Sequence, residues 1–393
     1  NLRIMTQQAV THSPNAPLHI KLAFARREDV VSDAATKTGL RIPTRFAADR
    51  PGESTESHWC QAIDLSDQPI SAGLSEVGFA QIELAGLPDL QAELSAVRAA
   101  GKLSAATAKA IRGHIQGQTF RLTDGRRLKV LFVAPEGFIM RSAGPNGLDV
   151  APDETMTEHN GHRAADRVHG DQNVYGTPLK QMLKGIAPWL FRHQTGQRAN
   201  RFSPVHLLNL WIPLQQSTQP LALADRRTVD SATQQVRYAL PTDGFLERDA
   251  QTQLNDIWLF LHDPKQHWYC DTAMDSGKAY VFDTLGEPHG AATLPGESVA
   301  EKYYRRLQAL VHAIALGRPS EIGSILDEPL LEEPANTPPT LRSNIQAIRS
   351  LIMEAEQSGP DEFAEKDWKA RSEAALDRLV RKSLEMRAVA VVF

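Results

Sequence analysis

Arg167-Val168-His169-Gly170-Asp171-Gln172-Asn173-Val174 sets a histidine and a carboxylate two residues apart. Side chains of an extended chain alternate between faces, so His169 and Asp171 point the same way. One imidazole and one carboxylate on a common side can share a metal ion. A third ligand from far downstream would complete a 2-His-1-carboxylate facial triad, the arrangement that leaves positions on Fe(II) open for a co-substrate and O2. Alone the spacing is a weak signal, because a chain with 13 His and 47 Asp and Glu produces such triplets by accident.

The 393 residues are enough for one large or two medium domains with real cores. A hydrophobic share of 41% and a charged share of 23% describe an ordinary globular chain. The net charge of -4, with Lys and Arg scattered rather than striped, argues against a nucleic-acid partner. Two cysteines, Cys60 and Cys270, are too few for a disulfide framework and fit a reducing cytoplasm, the expected location. No apolar run reaches the roughly 18–20 residues of a membrane span. The N-terminus lacks the basic-then-apolar layout of a signal peptide.

Along the chain the texture changes three times. Residues 1–117 read as an irregular and helical extension, with a short strand at Leu18–Leu22 and a helix from Asp89 to about His114 that breaks near Gly101. Ser104 is placed to cap the second part of that helix. Residues 118–297 read as β. Thr119–Leu122 and Leu128–Val133 flank a hairpin signal at Asp124-Gly125. Apolar runs follow at Val205–Leu214, Leu221–Ala224, Ile257–Leu261 and Ala279–Phe282. Short strands without βαβ spacing argue for an antiparallel barrel or jelly roll. Residues 298–378 turn helical, with Tyr303, Leu307, Leu310 and Val311 on one stripe and Ile345, Ile348, Leu351 and Ile352 on another. Residues 379–393 end on an apolar strand that needs a sheet to pair with. The expected fold class is α+β: a double-stranded β-helix (jelly-roll, cupin-like) core with flanking helices and a helical insertion.

Four segments resemble, in order, a branch of the Fe(II)/2-oxoglutarate-dependent oxygenases of secondary-metabolite pathways, the hydroxylase/desaturase group with a member in cephamycin biosynthesis. They are Val168-His169-Gly170-Asp171-Gln172; the block Leu208–Leu214 followed by Pro220–Val229; His267–Tyr269 through Tyr280–Thr284 to Pro288-His289; and Arg381–Val389. The second, with Asn209-Leu210-Trp211-Ile212-Pro213-Leu214 and Pro220-Leu221-Ala222-Leu223-Ala224-Asp225, is the most specific. The helical stretch departs from the shorter family pattern, in which the last two blocks sit close together.

The resemblance implies Fe(II), 2-oxoglutarate and O2 as cofactor and co-substrates, and His289 as the third ligand beside His169 and Asp171. The distal carboxylate of 2-oxoglutarate needs a cation, and an arginine fork suits it. Arg381 with Ser383 resembles the R-x-S pair that does this. Strand parity also puts Arg387 on the same face, so parity leaves Arg381 and Arg387 both open. Helical spacing of Leu376, Leu379, Val380 and Leu384 allows a third reading, with Arg381 a solvated helix end. Gln172, Asn173, Tyr175 and Trp211 are candidates for substrate contact, with a core role equally open for Trp211. Competing functions are a non-catalytic jelly-roll binding protein and a zinc hydrolase using His159, His162 and His169. The expected substrate is a small molecule, and the helical insertion is expected to act as a lid or as a homodimer contact.

Overall fold

A computed structural model describes residues 17–32, 39–42, 55–151, 154, 157–162, 165, 167–172, 186–194, 199–241, 254–357 and 366–393. Two sheets face each other. The first is ten-stranded and runs Leu18–Ala25, Thr55–Asp64, Trp268–Cys270, Leu221–Ala224, His289–Ala291, His169–Gly170, Leu254–Phe260, Gln235–Pro241, Leu40–Arg41, Val31–Ser32. The second is eight-stranded. Its main path is Phe79–Glu83, Lys278–Asp283, Val205–Gln215, Arg381–Val392, Arg127–Val133, Thr119–Arg121, with Ile139–Ala143 and Asn160–His162 joined beside it. Most pairings are antiparallel and link strands distant in sequence, as a jelly roll requires.

The strand Val205–Gln215 shows why the apolar runs are so dense. Both of its faces are covered. Leu208, Leu210, Ile212 and Leu214 pack outward against the helices Pro88–Ala100 and Ala105–Ile115. Trp211 points inward, into a cluster with Phe79, Leu221, Leu223, Tyr280 and Phe282 from both sheets. A strand buried on two sides loses the polar half of its alternation and reads as one continuous run. Each Leu or Ile so buried contributes roughly 1.5–3 kcal/mol relative to an exposed position. Pro213, which cannot donate to a ladder, sits where the pairing with Arg381–Val392 shifts register.

The helix break expected near Gly101 is real. Gly101 takes φ 66° after the first helix, and the Ser104 side chain accepts from the Thr107 amide at the start of the second. Residues 1–117 also supply strands. Leu18–Ala25 and Thr55–Asp64 extend the first sheet, and Phe79–Glu83 edges the second. Thr55–Asp64 is largely polar and half exposed, so composition gave no strand signal there.

Among its described residues the insertion forms four helices, Glu297–Ala315, Pro319–Leu326, Pro339–Gln357 and Lys366–Arg378. Their apolar stripes pack on the outer face of the ten-stranded sheet, against Ile20, Leu22, Cys60, Ala224, Trp258 and Trp268 among others. That is the side of the sheet facing away from the barrel interior, so this placement makes a backing layer rather than a lid. The chain then re-enters the second sheet as Arg381–Val392, which corrects the reading of Arg381 as a solvated helix end.

Candidate metal centre and co-substrate site

His169 and His289 are directly opposite each other on neighbouring antiparallel strands. Asp171 follows in the bend after His169–Gly170. One ligand atom from each of the three lies within 4.8 Å of the others, and this is the one such group of three found among the described residues. His169 Nε2 is 3.3 Å from Asp171 Oδ1, and His289 Nε2 is 3.9 Å from Asp171 Oδ2. Close packing makes this possible. A Cβ on Gly170 would come within 3.2 Å of Gly286, and one on Gly290 within 3.2 Å of the Arg167 carbonyl.

Both rings are aimed the same way by the same device. His169 Nδ1 meets the Arg167 carbonyl at 2.8 Å, and His289 Nδ1 meets the Glu287 carbonyl at 2.9 Å. A carbonyl only accepts, so both Nδ1 atoms carry a proton and both Nε2 atoms face the shared space. Burial presses on Asp171 toward the neutral form. The His169 hydrogen bond and the nearby Arg387 charge more than offset it and hold the carboxyl well below its usual range. His289 is pushed down to about 4 by burial and by His169, so its imidazole is neutral. His169 is shifted up, because hydrogen bonding and charge from Asp171 outweigh its burial. The donor set is two imidazoles and a carboxylate, which suits non-haem Fe(II) with open positions.

Asn209 was not anticipated. Its side-chain amide donates to Asp171 Oδ2, and its own carbonyl accepts from Thr284 Oγ1 at 2.9 Å. The Gln172 amide donates to the Thr284 carbonyl at 3.1 Å, closing the loop around the ligand. The signal was a lone polar residue inside the apolar run Val205–Leu214.

A line of rings leads inward from the ligands. Phe282 lies 4.6 Å from the His289 ring, Tyr280 is the next inward residue on its strand, and Trp211 is 5.9 Å from Tyr280. Arg381 stands over Trp211 with Cζ 5.9 Å from the ring. The guanidinium is 2% exposed and Ser383 is 0% exposed. Burial pulls the Arg381 pKa down to about 10, which leaves it cationic at neutral pH. Among the described residues Arg381 Nε and Ser383 Oγ are buried with no hydrogen-bond partner. Unpaired polar atoms in a dry interior are costly, and a carboxylate between them would satisfy both. These residues therefore fit the distal end of a 2-oxoglutarate.

Arg387 is opposite Asn209 in register and only partly buried, on the Asp171 side of the interior. Glu385, between the two arginines, is occupied by Arg141 at 3.1 Å. Gln172 is buried, and its Oε1 has no partner among the described residues. Asn173 and Tyr175 lie outside the described residues, as does the side chain of His162. His159 Nδ1 contacts the Phe138 carbonyl at 3.0 Å.

No family profile matches the chain, and no curated protein sequence does. Among solved structures it is similar to an iron and alpha-ketoglutarate-dependent endoperoxidase, NvfI, with a TM-score of 0.43 and 13% identity over 95% of this chain and 98% of that one. A different conformation of the same enzyme gives 0.42 and 12% over 96% and 98%.

Among the described residues no helix is long and apolar enough to cross a membrane.

Proposed function

We propose that this protein is an Fe(II)/2-oxoglutarate-dependent oxygenase that oxidises an unactivated C–H bond of a small organic molecule, with hydroxylation as the default outcome and desaturation or cyclisation as variants on the same site. The observation that carries the reading is the pairing of two features in one interior. A facial triad stands at one end of a line of rings, and a buried arginine with an unpaired Nε stands at the other. A binding protein without turnover has no need of three correctly oriented ligands together with a buried cation.

His169, Asp171 and His289 would hold the iron through Nε2, a carboxylate oxygen and Nε2. Arg381 would receive the distal carboxylate, with the Ser383 hydroxyl donating a second hydrogen bond. When bound, iron and 2-oxoglutarate supply the oxidising power: the keto acid and O2 become succinate and CO2, and the second oxygen atom goes to the substrate. The chain's own work is orientation and dryness. Asn209 fixes which carboxylate oxygen of Asp171 faces the metal, and Phe282, Tyr280 and Trp211 keep water from the space between.

The test is a requirement for all three components. Turnover should need Fe(II), 2-oxoglutarate and O2, and succinate should form with the product. Label from 18O2 should enter succinate. Robust turnover under strict anaerobiosis, or with zinc alone and no 2-oxoglutarate, would overturn the reading in favour of the hydrolase.

A further inference from the structure

We infer that Gln219 and Glu297 are positioning residues for the co-substrate anchor, so that the first residue of the helical layer sets the affinity for the distal carboxylate of 2-oxoglutarate. This rests on Arg381 being that anchor.

Among the described residues the Arg381 guanidinium makes one hydrogen bond, from Nη1 to the Gln219 carbonyl at 3.0 Å. That bond orients the fork and leaves Nε free. The carbonyl belongs to a residue in a rare conformation. Gln219 has φ 49°, in the left-handed region that non-glycine residues seldom occupy. Such a residue persists only where its surroundings over-determine it.

Glu297 does the over-determining. Its carboxylate is wholly buried at the start of helix Glu297–Ala315. Oε1 accepts from the Gln219 amide at 2.8 Å and the Leu294 amide at 2.9 Å. Oε2 accepts from Gln219 Nε2 at 2.8 Å and from the amide of Asn146, a second left-handed residue, at 2.7 Å. Four N–H donors converge on one carboxylate, which has acceptor sites for all four. A glutamine there would offer a single oxygen and turn an NH2 group toward two other donors.

The loop that ends at Gln219 is also stitched to the chain just ahead of Arg381. Ser217 Oγ donates to the Arg378 carbonyl at 2.6 Å, Thr218 Oγ1 to the Leu379 carbonyl at 2.9 Å, and Gln215 Nε2 to the Val380 carbonyl at 3.0 Å. The anchor is thus held twice. Its backbone is fixed by Gln215, Ser217 and Thr218, and its guanidinium by the carbonyl that Glu297 steadies. The insertion splits the last two strands of the barrel in sequence, and this hub places its first residue against the turn that aims Arg381.

The experiment compares two ligands on metal-loaded protein without O2. N-oxalylglycine keeps the distal carboxylate; oxalate chelates the metal and lacks it. Glu297→Gln and Gln219→Gly should each weaken N-oxalylglycine about tenfold while leaving oxalate unchanged. In turnover the KM for 2-oxoglutarate should rise while kcat at saturation stays within about twofold. Glycine tolerates the left-handed conformation, so Gln219→Gly keeps the question open to test if Glu297→Gln fails to fold. Equal weakening of both ligands would show a general loss of order and overturn the inference, as would no change in either. Arg381→Ala separates the two levels. If it loses N-oxalylglycine selectivity while the Glu297 and Gln219 variants do not, only the relay is wrong; if it does not, the anchor itself is misassigned.

Discussion

His169 lies directly across from His289 on neighbouring antiparallel strands, and their rings approach to 4.3 Å. Cross-strand partners are the shortest way to join residues far apart in sequence, because the ladder fixes their separation. The sheet therefore fixes the two imidazoles of the candidate site against each other, with Asp171 in the bend that follows. Replacing His169, Asp171 or His289 by Ala should abolish 2-oxoglutarate turnover and strip Fe(II) from purified protein, read as metal content and succinate formation. Full activity in His289→Ala would mean the distal ligand lies elsewhere.

Asn209 orients Asp171 without touching the metal position itself. Removing such an outer partner typically costs 10–100-fold in metal affinity. Asn209→Ala should weaken Mn(II) or Co(II) binding by about that factor. Asn209→Asp should do worse, since it sets a second carboxylate against the first. An unchanged titration in both would show that the backbone of the bend alone holds Asp171.

Arg381 and Arg387 make opposite predictions. Losing one partner of a buried, hydrogen-bonded charge pair costs about 2–5 kcal/mol. Arg381→Ala should therefore raise the KM for 2-oxoglutarate by roughly two orders of magnitude. Arg387→Ala should leave it nearly unchanged. The reverse pattern would make Arg387, opposite Asn209, the anchor.

A buried charge cluster includes Asp283 and Glu287, just ahead of the strand that begins at His289. Arg226 Nη2 is 2.7 Å from Asp283 Oδ2, and Arg226 Nε is 3.1 Å from Glu287 Oε2. Glu287 also supplies the carbonyl that orients His289. Arg226→Met leaves two carboxylates without their cation and should cost about 3–5 kcal/mol in denaturant unfolding. Gly78→Ala probes the same place. Its Cβ would run into the Glu287 carboxylate, at φ 96°. A Gly78→Ala protein as stable as the parent would show that the cluster is loosely packed.

His206 gives a pH signature. Burial, reinforced by Arg192, Arg226 and Arg126 and opposed by Asp283, pushes it down to about 4 from an ordinary 6.5. Between those values the unfolded chain takes up a proton that the folded one refuses. Its contribution to stability is whole above pH 6.5 and is lost as pH falls toward 4. The loss is about 3 kcal/mol. His206→Gln should flatten that part of the stability curve in chemical denaturation. A curve of unchanged slope would mean that His206 is not held neutral.

The sequence alone determined the jelly-roll texture, the His169–Asp171 pair and both arginine candidates; His289 entered through the resemblance. Apolar runs at Val205–Leu214, Leu221–Ala224 and Ala279–Phe282 became strands because two-sided burial writes itself into composition. His169 and Asp171 were legible because strand parity is local. The Arg381–Ser383 pair was legible for the same reason, but parity is blind to depth, and it could not separate Arg381 from Arg387. Only the tertiary structure decided that Arg381 is buried behind Trp211 while Arg387 is partly exposed near Asp171. It also decided where the insertion goes. Amphipathic spacing shows that a helix has a face to bury, not which surface receives it, so a lid and a backing layer read alike until the chain is folded. Asn209, Gln219 and Glu297 were missed for one reason. Each acts through hydrogen bonds to residues 38 to 162 positions away or to partners so joined, and no local period encodes a contact of that range.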